Sequence, residues 1–79
     1  MFCVYILFSE SLKKYYIGQT KDLDLRFQQH NAGLSKYTKN GVPWRQVKHF
    51  EVKSRSEAVK LERKIKSRGA KRYLENIGM

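Results

Sequence analysis

The sequence predicts an α/β chain of the α+β type, in which helices flank a small three-stranded antiparallel sheet in the order β-β-α-β-α-α. Two β-prone runs lie close together at the start, and two amphipathic segments with capping residues lie further along the chain. A third, partly alternating run separates those helical segments. A chain of 79 residues builds one modest core, so we expect a single domain over residues 1–79.

The first half of the chain predicts a β-hairpin followed by a helix. Residues 2–8 are continuously hydrophobic, and they lack the basic start and small-residue cleavage site of a signal peptide. Residues 15–20 form a second strand that Gly18 interrupts, which indicates a bulge or a close approach of the backbone to a ligand. Asp22 predicts the N-cap of the first helix. Helical spacing places three side chains on the inner face of that helix: Leu23, Phe27 and His30.

The second half predicts a loop, a third strand and two helices. Residues 34–45 contain a turn signal and a proline, and residues 46–52 alternate as a strand does. Ser54 is followed three residues later by Glu57, which is the pattern of a capping box at the start of the second helix. A glycine ends that helix, and residues 70–77 predict a short, basic third helix.

One acidic side chain lies where the helical pattern calls for a hydrophobic residue. Ala58, Leu61 and Ile65 recur at helical spacing and define the buried stripe of the second helix. Glu62 falls on the same stripe. An unpaired carboxylate is costly to bury, and the cost becomes tolerable when a cation or metal ion meets it. Position 62 is therefore the first candidate for a functional residue.

The charge of the chain predicts a polyanionic partner. Seventeen basic residues stand against seven acidic ones, for a formal net charge of +10, and nucleic acid is the leading candidate. An aromatic content of 13% indicates a packed fold and excludes a disordered basic tail. A dense basic segment is expected to contact phosphates. Its members are Lys60, Arg63, Lys64, Lys66, Arg68, Lys71 and Arg72.

Cysteine, histidine and hydropathy exclude several classes of protein. A single cysteine forms no internal disulfide, and one cysteine with two distant histidines does not make a zinc site. Cys3 is expected to be a small buried hydrophobic residue. No apolar run approaches the length of a membrane span, so we expect no membrane partner and a cytoplasmic location.

Several motifs, in order, resemble the GIY-YIG nuclease family. Tyr5 ends a first signature that runs Cys3-Val4-Tyr5, and Tyr16-Ile17-Gly18 forms the second. Cys3 and Val4 replace the glycine and isoleucine of the family pattern, at positions that serve the backbone and packing. The resemblance continues through Arg26 and His30 to Glu62, and it covers residues 2 to about 68. It is closest to the short, stand-alone bacterial members.

The resemblance implies a metal-dependent endonuclease that hydrolyses phosphodiester bonds in DNA, with selection for DNA structure in repair or recombination. Glu62 would hold one Mg²⁺ (or Mn²⁺), and Arg26 would neutralise charge on the phosphoryl oxygens. Either Tyr5 or Tyr16 would lie near the attacking water as general base, and His30 would orient a tyrosine or relay the proton. We expect these five side chains to converge around one phosphate.

Further residues are expected to contact the substrate, and two other functions stay open. The expected contacts are Gly18, Lys21, Tyr37, Lys60 and Arg63. The first alternative function is a non-catalytic nucleic-acid-binding module that retains the nuclease fold. The second is a small structural protein docked on RNA by its charge. Glu62 separates these functions, because a pure binding module gains nothing from a carboxylate that repels phosphate.

Overall fold

Three antiparallel strands form one sheet in the computed structural model, which describes residues 1–78. The strands are β1 (Phe2–Ser9), β2 (Lys14–Thr20) and β3 (Trp44–Val52), and the order across the sheet is β2-β1-β3. The predicted fold class and the order β-β-α-β-α-α are confirmed. The central position of β1 accounts for its unbroken hydrophobic character, because helices cover both of its faces.

Three helices and one short 3₁₀ turn complete the fold. Asp22 caps the first helix as predicted, since its side chain accepts a hydrogen bond from the backbone of Leu25 at 3.1 Å. Within residues 1–78, the helices are too short and too polar to cross a membrane. Their bounds are Leu23–Asn31 for α1, Arg55–Arg68 for α2 and Ala70–Asn76 for α3, with the 3₁₀ turn at Lys39–Gly41.

The two helical layers bury different residues of β1. Tyr5 and Leu7 point to the side that α1 covers, which we call the α1 face. Val4 and Ile6 point to the side that α2 and α3 cover, the α2 face. This division follows from the alternation of side chains along a strand. The α2 face carries the larger apolar cluster, with Ala58, Ile65, Ala70 and Leu74 buried against it.

The N-terminus of α2 carries a variant of the capping box, in which the glutamate bonds the residue before the N-cap. The Ser54 hydroxyl accepts a hydrogen bond from the backbone N–H of Glu57 at 3.2 Å, as predicted. The Glu57 carboxylate accepts from the N–H of Lys53 at 3.2 Å, one residue before the cap itself. At the other end, Gly69 has φ of 91° and donates its N–H to the Ile65 carbonyl, which ends α2.

β3 begins at Trp44, two residues earlier than predicted. The side-chain amide of Asn31 bonds both backbone groups of Trp44, donating to its carbonyl at 3.0 Å and accepting from its N–H. This anchor extends the strand towards α1. A bulge follows, because Ile6 pairs with Lys48 and Leu7 pairs with Gln46. Trp44 itself is 5% exposed, so it packs in the core and is not available to stack on bases.

Candidate active site

A hydrogen bond between Tyr5 and His30 lies at the centre of the candidate site. β1 directs Tyr5 to the α1 face, and the last turn of α1 directs His30 back towards the sheet. The Tyr5 hydroxyl oxygen lies 2.9 Å from His30 Nε2, and both side chains are buried. The predicted inner position of His30 on α1 is therefore confirmed, and its imidazole contacts one of the two predicted phenols.

The other nitrogen of His30 is held by Thr38, a loop residue that the sequence does not identify as a partner of the imidazole. His30 Nδ1 lies 2.7 Å from the hydroxyl oxygen of Thr38, which is fully buried. The Thr38 carbonyl accepts a hydrogen bond from the indole N–H of Trp44 at 2.7 Å. Both imidazole nitrogens are thus satisfied, and a neutral ring donates through one and accepts through the other. A loop threonine carries no periodic signal, so only the folded chain identifies this contact.

Tyr16 and Arg26 border the Tyr5–His30 pair. The Tyr16 ring is half-buried, with its centroid 5.0 Å from that of His30 in an edge-on arrangement and 6.3 Å from that of Tyr5. Arg26, on α1, donates from Nη1 to the Gln29 side chain at 3.1 Å. The positive charge of its guanidinium lowers the pKa of both Tyr5 and His30. Four of the five predicted catalytic side chains therefore cluster on the α1 face.

Burial decides the protonation state of Tyr5. The pKa of Tyr5 is raised to about 12, chiefly by burial, with smaller upward contributions from the neighbouring Tyr16 and the charge of Glu62. The Arg26 guanidinium opposes these effects by hydrogen bonding and by its positive charge. The net upward shift in pKa keeps the phenol protonated at neutral pH. In the substrate-free protein, Tyr5 is therefore a proton donor and not a phenolate.

His30 is neutral for a related reason. The pKa of His30 is lowered to about 4, chiefly by burial and to a smaller extent by the positive charge of Arg26. The ring is therefore neutral at neutral pH, and it takes up a proton there only if a nearby negative charge, such as a phosphate, raises its pKa. A proton donor and a proton acceptor are paired at 2.9 Å in the middle of the site.

The lowered pKa of His30 predicts acid-sensitive folding. The unfolded chain takes up a proton near pH 6.5, whereas the folded ring resists protonation until about pH 4. The contribution of His30 to stability is therefore fully present above pH 6.5 and is lost as the pH falls towards 4. We expect the free energy of unfolding to fall as the pH drops below 6.5, with a slope that approaches about 1.4 kcal/mol per pH unit near pH 5.

Urea denaturation across that pH range measures this slope. His30→Gln should be less stable at pH 7, because it disturbs the bonds to Tyr5 and Thr38, and it should show a flatter slope. His49→Gln is the matched control, since His49 is exposed on β3 and should keep the wild-type slope. Equal slopes for the wild type and His30→Gln would contradict the assignment.

Gly18 gives the Tyr5 ring its space. Gly18 is the cross-strand neighbour of Tyr5 in the β1–β2 pair. A Cβ atom at Gly18 would lie 2.6 Å from the Tyr5 hydroxyl oxygen, 2.7 Å from its Cζ and 3.1 Å from Cε2 of Tyr16. The close approach that the sequence indicated is therefore made by a side chain of the protein itself. Contact of the Gly18 backbone with a substrate stays a prediction.

Glu62 approaches the site from the opposite face of the sheet. Its side chain is 18% exposed and accepts hydrogen bonds from Gln19 Nε2 at 3.0 Å and from Lys66 Nζ at 2.6 Å. Gln19 follows Gly18 in β2, so its side chain points to the α2 face. The five predicted side chains thus lie on two sides of the edge strand β2 and do not share a pocket on one face. Neither Gln19 nor Lys66 is predicted from the sequence as a partner of Glu62.

The residues predicted to contact the substrate lie in different places relative to Glu62. Arg63 lines a cavity of about 250 Å³ together with Gln19 and Glu62. Lys60 is exposed two residues before Glu62, a spacing that places it on another side of α2. Lys21 is exposed after β2, with Nζ 5.3 Å from the centre of the Phe2 ring. The roles of these residues stay predictions.

Tyr37 occupies a separate, exposed position. Its side chain is 84% exposed on the loop between α1 and β3. The next residue, Thr38, is fully buried against His30, so the loop is anchored at the site while Tyr37 points outwards. Tyr37 makes no contact with the central pair, and its proposed contact with a substrate also stays a prediction.

The described residues provide one carboxylate near the site rather than a metal-binding cluster. Within residues 1–78, no group of three or more histidine, cysteine, aspartate or glutamate side chains could hold a metal ion. Any metal bound at Glu62 must therefore obtain its other ligands from water or substrate.

The chain resembles known proteins over nearly its whole length. Residues 1–74 match the family model of the GIY-YIG catalytic domain. A solution structure of a UPF0213 protein from Bacillus halodurans aligns with a TM-score of 0.58 and 30% identity, over 98% of this chain and 83% of that chain. No curated protein matches the chain significantly. The chain therefore belongs to the GIY-YIG family and has the fold of an endonuclease domain.

Proposed function

We propose that the protein is a metal-dependent endonuclease that hydrolyses phosphodiester bonds in DNA. The observation that carries this proposal is the arrangement of polar groups about β2. Tyr5, Tyr16 and His30 lie on one side of the strand with Arg26 beside them, and Glu62 lies on the other. A phosphate at this edge would meet cationic and phenolic groups from one side and a carboxylate from the other.

Glu62 supports binding of one Mg²⁺ (or Mn²⁺). Mg²⁺ sites often use one or two carboxylates together with water and substrate phosphate, and a single half-buried carboxylate fits that pattern. Lys66 now neutralises this carboxylate at 2.6 Å, which predicts weak affinity for metal until a phosphate arrives. When bound, the ion would stabilise charge on the phosphate and on the leaving 3′ oxygen.

The residues on the α1 face support a route for the proton of the attacking water. We infer that the water gives its proton to the Tyr5 oxygen as the Tyr5 proton passes to His30 Nε2. Tyr5 stays neutral throughout, and His30 becomes an imidazolium whose Nδ1–H donates to Thr38. The water oxygen forms a bond to phosphorus as the bond to the 3′ oxygen breaks. Arg26 would stabilise the charge that develops on the phosphoryl oxygens.

DNA structure is the expected basis of substrate selection. A net charge of +10 favours any nucleic acid, and we propose that branches, flaps or damaged sites in repair or recombination are the preferred substrates. Tyr37 supports this proposal, since an exposed aromatic ring next to the buried Thr38 can stack on an unpaired base near the site. Lys21, Lys60 and Arg63 would contact neighbouring phosphates.

A panel of labelled substrates tests the proposed activity. Branched, nicked, single-stranded and duplex DNA would be incubated with Mg²⁺ or with EDTA, and we expect cleavage only with Mg²⁺. Arg26→Lys keeps the charge but removes the planar fork that matches phosphate oxygens, so its cleavage rate should fall about 10²-fold with little change in binding. Arg45→Lys, at an exposed position over Phe8, is the matched control and should cleave normally.

The same panel separates the endonuclease from a non-catalytic binding module. One observation favours the module: the short ion pair with Lys66 already compensates Glu62 without a metal. Binding of nucleic acid without cleavage of any substrate, at any Mg²⁺ concentration, would exclude the endonuclease and leave the binding module.

A further inference from the structure

Tyr15 presents an exposed aromatic ring away from the candidate active site. One side of the ring packs on Phe8, its cross-strand neighbour, with the centroids 4.8 Å apart. The residue is 38% exposed, which leaves the remaining ring surface open. Two cavities share Tyr15 as a wall, and Val47 and Leu74 provide apolar surface in one of them. The ring therefore borders a partly apolar depression at the hairpin end of the α2 face.

Three cations surround that depression. Arg68, Lys71 and Arg72 line the larger cavity, of about 670 Å³, together with Tyr15 and one carboxylate, Glu75. The three salt bridges found within residues 1–78 involve none of these cations. Gly69, with φ of 91°, turns the chain between α2 and α3 and so brings the cations to one corner. Three cations against one carboxylate leave a net positive surface around an aromatic ring.

β2 connects this surface to the candidate active site. Tyr15 and Gln19 lie four residues apart on β2, and their side chains share a face because that spacing is even. The strand rises by about 3.3 Å per residue, so the two positions lie about 13 Å apart. Gln19 bonds Glu62 directly. A strand of nucleic acid that passes Glu62 can follow β2 and reach Tyr15 within a few nucleotides.

We propose that Tyr15, Arg68, Lys71 and Arg72 form a subsite for an unpaired nucleic-acid strand. Tyr15 stacks on one base, and the three cations hold the adjoining phosphates, which is how proteins bind single strands without reading sequence. A duplex keeps its bases stacked on one another and cannot offer one to Tyr15. The position of the subsite relative to the cleaved bond rests on the proposed endonuclease function, but binding of the strand does not.

Binding without metal tests the subsite separately from cleavage. Fluorescence anisotropy would compare a labelled oligothymidylate with an abasic deoxyribose-phosphate chain of equal length, both in EDTA. The wild type should prefer the chain with bases. Tyr15→Leu keeps an apolar contact with Phe8 but removes the stacking surface, so its affinity for oligothymidylate should fall about ten-fold. Its affinity for the abasic chain should not change, and Tyr15→Phe should restore wild-type behaviour.

Charge reversal tests the cations with a matched control. Lys71→Glu should weaken binding of both chains, whereas Lys53→Glu changes the net charge equally at the opposite end of the sheet and should weaken it far less. The proposal is overturned if the wild type does not distinguish oligothymidylate from the abasic chain, a result that needs no variant. It is also overturned if the wild type binds duplex more tightly than the single strand. Absence of cleavage with the predicted binding intact would refute only the endonuclease.

Discussion

Glu62→Gln is expected to lower the rate of Mg²⁺-dependent DNA cleavage by about 10³-fold, the upper range for loss of one electrostatic group at a reacting centre. The substitution preserves the size of the side chain but removes the charge that would hold a cation. Lys66 loses its partner at 2.6 Å, and its free ammonium adds positive charge to the surface. DNA binding should therefore stay unchanged or become tighter. Cleavage of a labelled branched substrate and anisotropy in EDTA measure the two quantities.

Glu51→Gln provides the matched control for this variant. Glu51 is exposed on β3, so its replacement makes the same change in net charge away from β2. It should leave the cleavage rate at the wild-type value. Cleavage by Glu62→Gln at the wild-type rate would remove Glu62 from the mechanism, whatever the family pattern implies.

Gly18→Ala is expected to destabilise the fold by about 3 kcal/mol, the upper range for overpacking a core. Alanine normally stabilises a strand relative to glycine, so the expected sign is reversed here. The added methyl group would lie 2.6 Å from the Tyr5 hydroxyl oxygen and 3.1 Å from Cε2 of Tyr16. Displacement of Tyr5 would also break its bond to His30, so cleavage should fall at least about 10²-fold.

A double-mutant cycle with Tyr5→Leu separates this clash from a general effect on β2. Leucine lacks the atoms that the new methyl group would meet, so the double variant should be more stable than the sum of the single changes predicts. Urea denaturation measures each term of the cycle. A Gly18→Ala protein as stable as the wild type would show that the space above Gly18 does not constrain Tyr5.

Local patterns were sufficient to predict the sheet and the helices and to select Glu62 as a candidate site residue. The unbroken hydrophobic run of β1 indicated a strand, and Asp22 and Ser54 marked the starts of α1 and α2. Glu62 was conspicuous because a carboxylate interrupted a helical stripe, and the structure places it half-buried between two polar partners. Each of these signals depends on residues within one or two turns of the same element.

The partners of the site residues could not be predicted because they come from distant parts of the chain. Thr38 holds His30 from a loop, and its selection depends on how that loop folds against Trp44. Gln19 reaches Glu62 only because β2 pairs with β1 in one register, which directs residue 19 to the α2 face. The start of β3 was mispredicted for the same reason, since the anchor at Trp44 comes from α1.

The edge position of β2 has a consequence for the behaviour of the protein in concentrated solution. Within residues 1–78, one side of β2 has no neighbouring strand, and its backbone donors and acceptors could recruit the same strand of a second molecule. Covering the strand with a helix would prevent such self-association but would also close the approach to the candidate site. Lys14 begins the open strand and Lys21 follows it, and we expect the high positive charge to keep copies apart by repulsion. The charge that attracts a polyanion is therefore also expected to oppose aggregation.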